Sequence, residues 1–160
     1  MPTAAVLTVS DSCSRGERAD LSGPATADLL RQHGFQVAHH EIVSDDQPKI
    51  EAALLHWSQQ VQLVVTVGGT GIAERDVTPE ATRAVCSKLI EGISEKIRAA
   101  GLAQTPFAVL SRGVCGVRGR ALILNLPGNP NGAVQSLQAV IDILPHAIDL
   151  LAGKTAHEQE

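Results

Sequence analysis

Aromatic surface is almost absent from this chain: 160 residues carry Phe35, Phe107 and Trp57 and no tyrosine. Proteins that grip single-stranded nucleic acid stack bases on aromatic faces, and three rings offer no such platform. Positive charge is also short, since 13 basic against 17 acidic residues leave a net charge of −4, which argues against a broad phosphate-backbone surface. Cysteine is scarce: Cys13, Cys86 and Cys115 are odd in number and lack C-x-x-C spacing, which excludes a disulfide framework and a zinc knuckle. No apolar run approaches the ~20 residues that span a bilayer. The opening MPTAAVLTVSD has neither the basic segment nor the cleavage pattern of a secretion signal. The expectation is a cytoplasmic protein with reduced thiols that binds neither nucleic acid nor membrane.

What remains is an ordinary globular composition, 44% hydrophobic and 19% charged. The length suits one core burying roughly 70% of the unfolded surface. Residues 1–153 are expected to form one domain, and the polar KTAHEQE, 154–160, a flexible tail. Strands are predicted at AAVLTVS (4–10), FQVAHHEIV (35–43) and LVVTV (63–67), the last wholly apolar as suits a strand covered on both faces. FAVLS (107–111) and ALILNL (121–126) predict two more around the glycine-rich RGVCGVRG, joined closely enough for an antiparallel hairpin. Between them lie helical patterns. PATADLLRQHG has proline for the first turn and glycine for the stop, and Ile50, Leu54 and Trp57 recur at helical spacing as core or subunit contacts. Thr78 and Pro79 suit an N-cap and first helical position, GISEKIRAAGL follows, and 129–153 reads as one closing helix bent at Pro145. The fold class is therefore α/β: three α/β/α layers with a mostly parallel, or mixed, central sheet of about five strands.

In such a sheet, ligands bind beyond the carboxyl ends of the strands where the strand order reverses. Three polar loops leave strands at that end: VSDSCSRGERADLSGP, VGGTGIAERDVTP and NLPGNPNG. Glycine lets backbone N–H groups approach a phosphate closely, and each loop feeds a helix start whose dipole favours an anion. Turn chemistry alone accounts for any one of them; three together favour an anion site. Arg15, Arg18, Arg75, Arg112, Arg118 and Arg120 lie in or beside glycine-bearing loops, whereas no lysine does. The planar arginine fork matches phosphate or carboxylate oxygens. Neither a P-loop nor a dinucleotide fingerprint fits GGTGIAE.

Acids crowd the same rim: Asp11 after the first strand, Asp45 and Asp46 after the second, Asp76 after GGTG. At ~5 Å and an effective dielectric near 20, each bare carboxylate repels each phosphate charge by about 3 kcal/mol. A divalent cation resolves the conflict, because Mg²⁺ binds one or two carboxylates together with phosphate oxygens and water. Helix capping is the competing role for Asp45 and Asp46, and for Asp76 an ion pair with Arg75 or a cap near Thr78. The histidines lack ligand spacing, and His39 and His40, adjacent on a strand, face opposite sides. Cys115 sits in a loop near arginines that would lower a thiol pKa, although no paired histidine accompanies it.

Five blocks, VLTVSDS, DLSGP, VTVGGTG followed by RDVTPEA, FAVLSRG, and NLPGNPNG, occur in order across nearly the whole chain. Together they resemble the MogA/MoaB family of molybdopterin adenylyltransferases, which includes the G domain of gephyrin-type proteins. The resemblance implies a MogA-like homotrimer that converts molybdopterin and Mg-ATP to adenylyl-molybdopterin and pyrophosphate in molybdenum cofactor biosynthesis. ATP is then a co-substrate, Mg²⁺ the cofactor, and the product is handed to a molybdate-insertion protein. The alternative is a non-catalytic molybdopterin-binding protein of the MoaB type, and a clustering scaffold is a further rival.

Carried over by position, the resemblance makes Asp45 and Asp76 the catalytic acids, with Asp45 the metal ligand, although Ser44 stands where the family commonly has proline and Asp46 stays an alternative. Gly68, Gly69, Thr70 and Gly71 form the phosphate turn with Arg75, and Asp11, Ser14, Asp20, Ser22 and Gly23 lie near the nucleotide. Ser111, Arg112 and Asn125 are the molybdopterin contacts, with Pro127, Gly128, Asn129 and Pro130 completing the rim.

Overall fold

Short apolar runs buried on both faces organise the chain around one sheet. The strands are β1 (Thr3–Val9), β2 (Gln36–Val43), β3 (Leu63–Val67), β4 (Lys88–Leu89), β5 (Cys115–Arg118) and β6 (Ala121–Leu126), in the computed structural model, which describes residues 1–154. Their order is β2-β1-β3-β6-β5-β4. The first four run parallel, while β5 and β4 join antiparallel at one edge. Helices α1 (Asp11–Ser14), α2 (Ser22–Gln32), α3 (Gln47–Ser58), α4 (Thr78–Val85), α5 (Glu91–Leu102), α6 (Pro130–Val140) and α7 (Leu144–Leu151) complete the three layers.

Because successive strand residues point to opposite faces, the central strands β1, β3 and β6 feed two cores. Ala4, Val6, Val65 and Leu124 pack with Leu30, Ile97, Leu137 and Ile148 from α2, α5, α6 and α7. Ala5, Leu7, Val64 and Ile123 pack with Ile50 and Leu54 of α3 and with Ala81 and Val85 of α4. The chain runs from β1 outward to β2 and returns to the other side of β1 as β3. The strand order therefore reverses between β1 and β3, and a crevice opens beyond Val9 and Val67.

The expected layers are present, with four differences in detail. The sheet has six strands rather than about five. FAVLS is not a strand but a 3-10 turn, Pro106–Leu110, in which Phe107, Val109 and Leu110 are exposed. The strand lies instead at Cys115–Arg118, within the glycine-rich segment, because Val114, Cys115 and Val117 are the residues with a core to enter and β5 closes the antiparallel hairpin with β6. The closing helix is broken into α6 and α7, and Pro145 sits in the first turn of the second, where its missing N–H costs nothing. Thr78 does not cap α4: it begins the helix, and its hydroxyl donates to Gly68 O at 3.0 Å. Of the expected tail, Lys154 is tied to Asp149 through its backbone N–H and its ammonium, and 155–160 lie outside the described residues.

One polar node lies within the sheet–α4 layer. Asn125, 3% exposed on β6, donates to Thr66 Oγ1 (2.9 Å) and Thr82 Oγ1 (3.0 Å) and accepts from Val114 N–H (3.1 Å). It thereby joins β3, β6, α4 and the entry to β5. On the opposite sheet edge, His39 stacks on Trp57, His56 meets the same ring edge-on, and the indole N–H donates to Glu41. Asn125→Ala strands a buried N–H and two buried hydroxyls, so chemical denaturation should show a loss of about 2–4 kcal/mol. A loss below about 0.5 kcal/mol, the range of an ordinary surface substitution, would remove the node from this account.

Candidate active site

The crevice at the strand reversal is a cavity of about 690 Å³ lined by Thr8, Val9, Arg18, Asp20, Ser22, Asp45, Val67, Gly68, Gly69, Asp76, Gly128 and Asn129, among others. Glycine is required where its walls touch. Gly68 has φ +107°, and a Cβ there would lie 2.3 Å from Val9 O, so the ends of β1 and β3 approach as only glycine permits. Gly23 opens α2 where a Cβ would collide with Thr8 Oγ1, Asp20 Oδ2 and His40 Nε2 together. Asp20 gathers that corner, accepting from Gly23 N–H (2.9 Å) and Thr8 Oγ1 (2.7 Å) and lying 3.0 Å from His40 Nε2. Ser22 donates to Gly128 O and ties the first loop to NLPGNP, while Asn129 caps α6 through Gly132 N–H (3.1 Å).

The acids separate into distinct tasks. Asp46 caps α3, its Oδ2 accepting from Lys49 N–H at 3.2 Å, which leaves Asp45 to line the cavity. Asp45 and Asp11 are clasped reciprocally: Asp11 N–H donates to Asp45 Oδ2 (2.9 Å) and Asp45 N–H to Asp11 Oδ1 (3.0 Å). Arg75 forks onto Asp11 through Nε (2.9 Å) and Nη2 (2.8 Å). Arg75 thus pairs with Asp11 rather than with Asp76, whose Oδ2 accepts from Ala73 N–H at 3.0 Å. The Arg75 bond holds the Asp11 carboxyl below the usual carboxylate range. Burial pushes Asp45 up, assisted by the negative charges of Asp11 and Asp76 and opposed by the bond from Asp11 N–H.

The expected pterin-side residues lie on a different wall. Arg112 is a staple, with Nε donating to Gly71 O (2.8 Å), Nη2 to Asp76 O (2.8 Å) and the fork closing on Glu80 (2.7 and 3.2 Å). Its backbone N–H donates to Thr70 O (2.8 Å), so it fixes both the GGTG turn and the Asp76 loop. Pairing with Arg112 lowers the Glu80 pKa. Asn125 lies beneath this wall, with its amide committed as described above. Ser111 lines two neighbouring cavities, of about 620 and 530 Å³, and Pro127 and Asn129 line the second. Asn129 also lines the Asp45 cavity, which makes the rim continuous. Ser14 stands at the exposed end of α1 with its hydroxyl on Asp11 O (2.8 Å). Cys115 is no activated nucleophile: it is buried in β5, and burial pushes its thiol up to about 12.

Three participants were not assigned to the site from sequence. Arg18 is the only cationic side chain lining the Asp45 cavity among the described residues. It was visible as a loop arginine, but nothing in its spacing distinguished it from Arg15, which instead pairs with Glu17. His40 points toward Asp20, the opposite side from His39 as strand alternation requires, yet its partner depends on the parallel pairing of β2 with β1. Glu80 gave no signal beyond being an acid in the first turn of α4.

Clustered carboxylates, a glycine turn and one arginine line a charged cleft at the reversal point of the parallel sheet of this α/β protein. The family model described as "probable molybdopterin binding domain" matches residues 5–146. A molybdopterin adenylyltransferase of Helicobacter pylori is 43% identical over 152 residues, covering 92% of this chain and 86% of that one. The molybdenum cofactor synthesis protein cinnamon of Drosophila melanogaster is 40% identical over 93% of this chain, which spans 25% of that longer protein. The crystal structure of the molybdopterin biosynthesis enzyme MoaB from Thermus thermophilus superposes with a TM-score of 0.91 at 49% identity, covering 96% and 98% of the two chains. The chain belongs to the MogA/MoaB-type molybdopterin-binding family.

The raised Asp45 pKa has a signed consequence for stability. Above the raised value Asp45 is ionised in both folded and unfolded chains and the folded state bears the full penalty; below the ordinary carboxylate range it is protonated in both and bears none. Asp45→Asn keeps an acceptor for Asp11 N–H and should raise the thermal midpoint at pH 7 by roughly a few degrees. The gap should close as pH falls below about 4. A pH-independent gap, or a lower midpoint at pH 7, would show that burial of this carboxylate is not unfavourable.

Proposed function

We propose that this chain is a molybdopterin adenylyltransferase, taking molybdopterin and ATP to adenylyl-molybdopterin and pyrophosphate in molybdenum cofactor biosynthesis. The observation that carries the reading is the convergence of Asp45, Asp76, the GGTG turn and Arg18 on one cavity at the strand reversal, in a chain 43% identical to a protein of that name. The donors suit Mg²⁺. Asp45 is a partly desolvated carboxylate facing the negative charge of Asp11 and Asp76. This fits a cation held by one or two carboxylates and completed by substrate oxygens and water. Bound there, Mg²⁺ supplies positive charge against the pyrophosphate that leaves.

The residues then divide the work by charge. The attacking group is the molybdopterin phosphate, already an anion, so no protein base has to remove a proton from it; the difficulty is bringing two polyanions together in line. Arg18 and the backbone N–H groups of Gly69, Thr70 and Gly71 hold nucleotide phosphate oxygens, with Asp20, Ser22 and Gly23 shaping the first loop around the nucleotide. Asp45 is the metal ligand, and Asp76 orients the reacting phosphate. Ser111 and the rim Pro127, Gly128, Asn129 and Pro130 receive the pterin. Arg112 and Asn125 hold that wall in place from behind. Residues 1–153 form one molybdopterin-binding domain in this reading, and the product passes to a molybdate-insertion protein.

A homotrimer in the cytoplasm is part of the same proposal. Leu102 at the end of α5 and Phe107, Val109 and Leu110 of the 3-10 turn are exposed apolar side chains, and self-association would remove them from water. No helix among the described residues is long and apolar enough to cross a membrane, and the three cysteines are unpaired.

Incubation with molybdopterin, ATP and Mg²⁺ should release pyrophosphate and yield an adenylylated pterin by mass spectrometry. Pterin binding without product would return the chain to the non-catalytic MoaB-type alternative. Asp76→Asn should slow the reaction by roughly 10²- to 10³-fold; a wild-type rate would overturn its role. Light scattering should give the mass of three chains, and Phe107→Asp a smaller species; a monomeric wild type would overturn the assembly.

A further inference from the structure

Asp11 and Arg75 were expected to touch the nucleotide, yet neither lines the cavity that holds Asp45 and Asp76. Arg75 is 64% exposed in its side chain, but its fork is committed to both oxygens of Asp11. Asp11 Oδ1 accepts a second bond from Asp45 N–H, and Asp45 Oδ2 accepts from Asp11 N–H. Each loop thus gives one N–H and one carboxylate oxygen to the other. Asp45 Oδ2 is spent in this clasp, while Oδ1 lies over Gly69, 3.2 Å from where a Cβ would stand.

Electrostatics opposes the clasp when Arg75 is ignored. Two carboxylates held this close repel, and Asp76 adds a third charge to the same field. Arg75 supplies the opposing charge and, being a planar fork, fixes the plane of Asp11 as well as its position. The chain of contacts Arg75, Asp11, Asp45 therefore joins the GGTG loop, the end of β1 and the end of β2.

Resting on the adenylyltransferase reading, we infer that Arg75 and Asp11 are positioning residues that act through Asp45. Arg75 neutralises and orients Asp11, and Asp11 fixes the Asp45 carboxylate so that Oδ1 is presented to the cavity. Neither holds the nucleotide itself. A sub-ångström loss of that presentation slows the transfer without weakening the binding of metal-free ATP, whose direct contacts lie elsewhere on the wall.

Four proteins separate this role from direct phosphate binding: wild type, Arg75→Ala, Asp11→Ala and the double variant. Each single change should lower kcat roughly 10- to 100-fold. ATP affinity by calorimetry without Mg²⁺ should stay within about twofold, and the kcat of the double variant should be no worse than that of the weaker single within about threefold, because both changes break one chain. Arg75→Lys, which restores charge without the fork, should recover only part of kcat. In the ligand-free protein, Asp45 N–H should exchange with solvent at least about tenfold faster in Arg75→Ala than in wild type. Tenfold weaker ATP binding in Arg75→Ala with losses that multiply in the double variant would make Arg75 a phosphate ligand and overturn the inference. Unchanged kcat and unchanged exchange would overturn it as well. A wild type that forms no product removes the adenylyltransferase reading itself, whereas an active wild type with an equally active Arg75→Ala removes only the positioning role.

Discussion

The fold turns on how closely β1 and β3 end. Gly68 lies against Val9 O with no room for a side chain, and Gly128 brings the end of β6 to within 3.3 Å of Gly68 for any added carbon. Three parallel strands therefore stop side by side, and each must release its chain into a loop at the same height. That crowding creates the crevice and delivers acids from separate segments to a common rim. It also creates the electrostatic problem, because a low-dielectric corner filled with carboxylates is costly until opposing charge is supplied.

Hydrogen-bonding side chains staple the rim together. Arg112 holds Gly71, Asp76 and Glu80 from behind, Asn125 fastens β3, β6 and α4 below, and Asp20 gathers Thr8, Gly23 and His40 at the far corner. Each satisfies several donors and acceptors at once, which is how buried polar groups are tolerated at all. Side-chain hydrogen bonds hold the cleft loops together, whereas the apolar packing lies further down both faces of the sheet.

Period and punctuation in the sequence disclosed the layers, the central strands and the three loops that border the crevice, because a buried parallel strand leaves a short apolar run and a helix start leaves a cap or proline. The misread segments share one cause. FAVLS has the composition of a strand, but whether Phe107 and Val109 meet a core depends on tertiary placement, and here they face outward; Cys115–Arg118 has a loop's composition and is buried. The convergence of Asp45 and Asp76 was legible from the ends of their strands. That the forks of Arg75 and Arg112 close on protein groups was not, since an arginine in a glycine loop looks the same whether its fork closes on a phosphate, a carboxylate or a backbone carbonyl.

The ring sandwich at the β2 edge has a consequence for observation. Trp57 is the sole tryptophan of the chain, and it rides on α3, whose first turn follows directly from Asp45 and Asp46. With tyrosine absent, near-ultraviolet emission comes from a single indole contacted by two imidazoles. The molecule therefore carries its own fluorophore on the helix that leaves the acidic rim, and no label has to be attached to watch that helix respond.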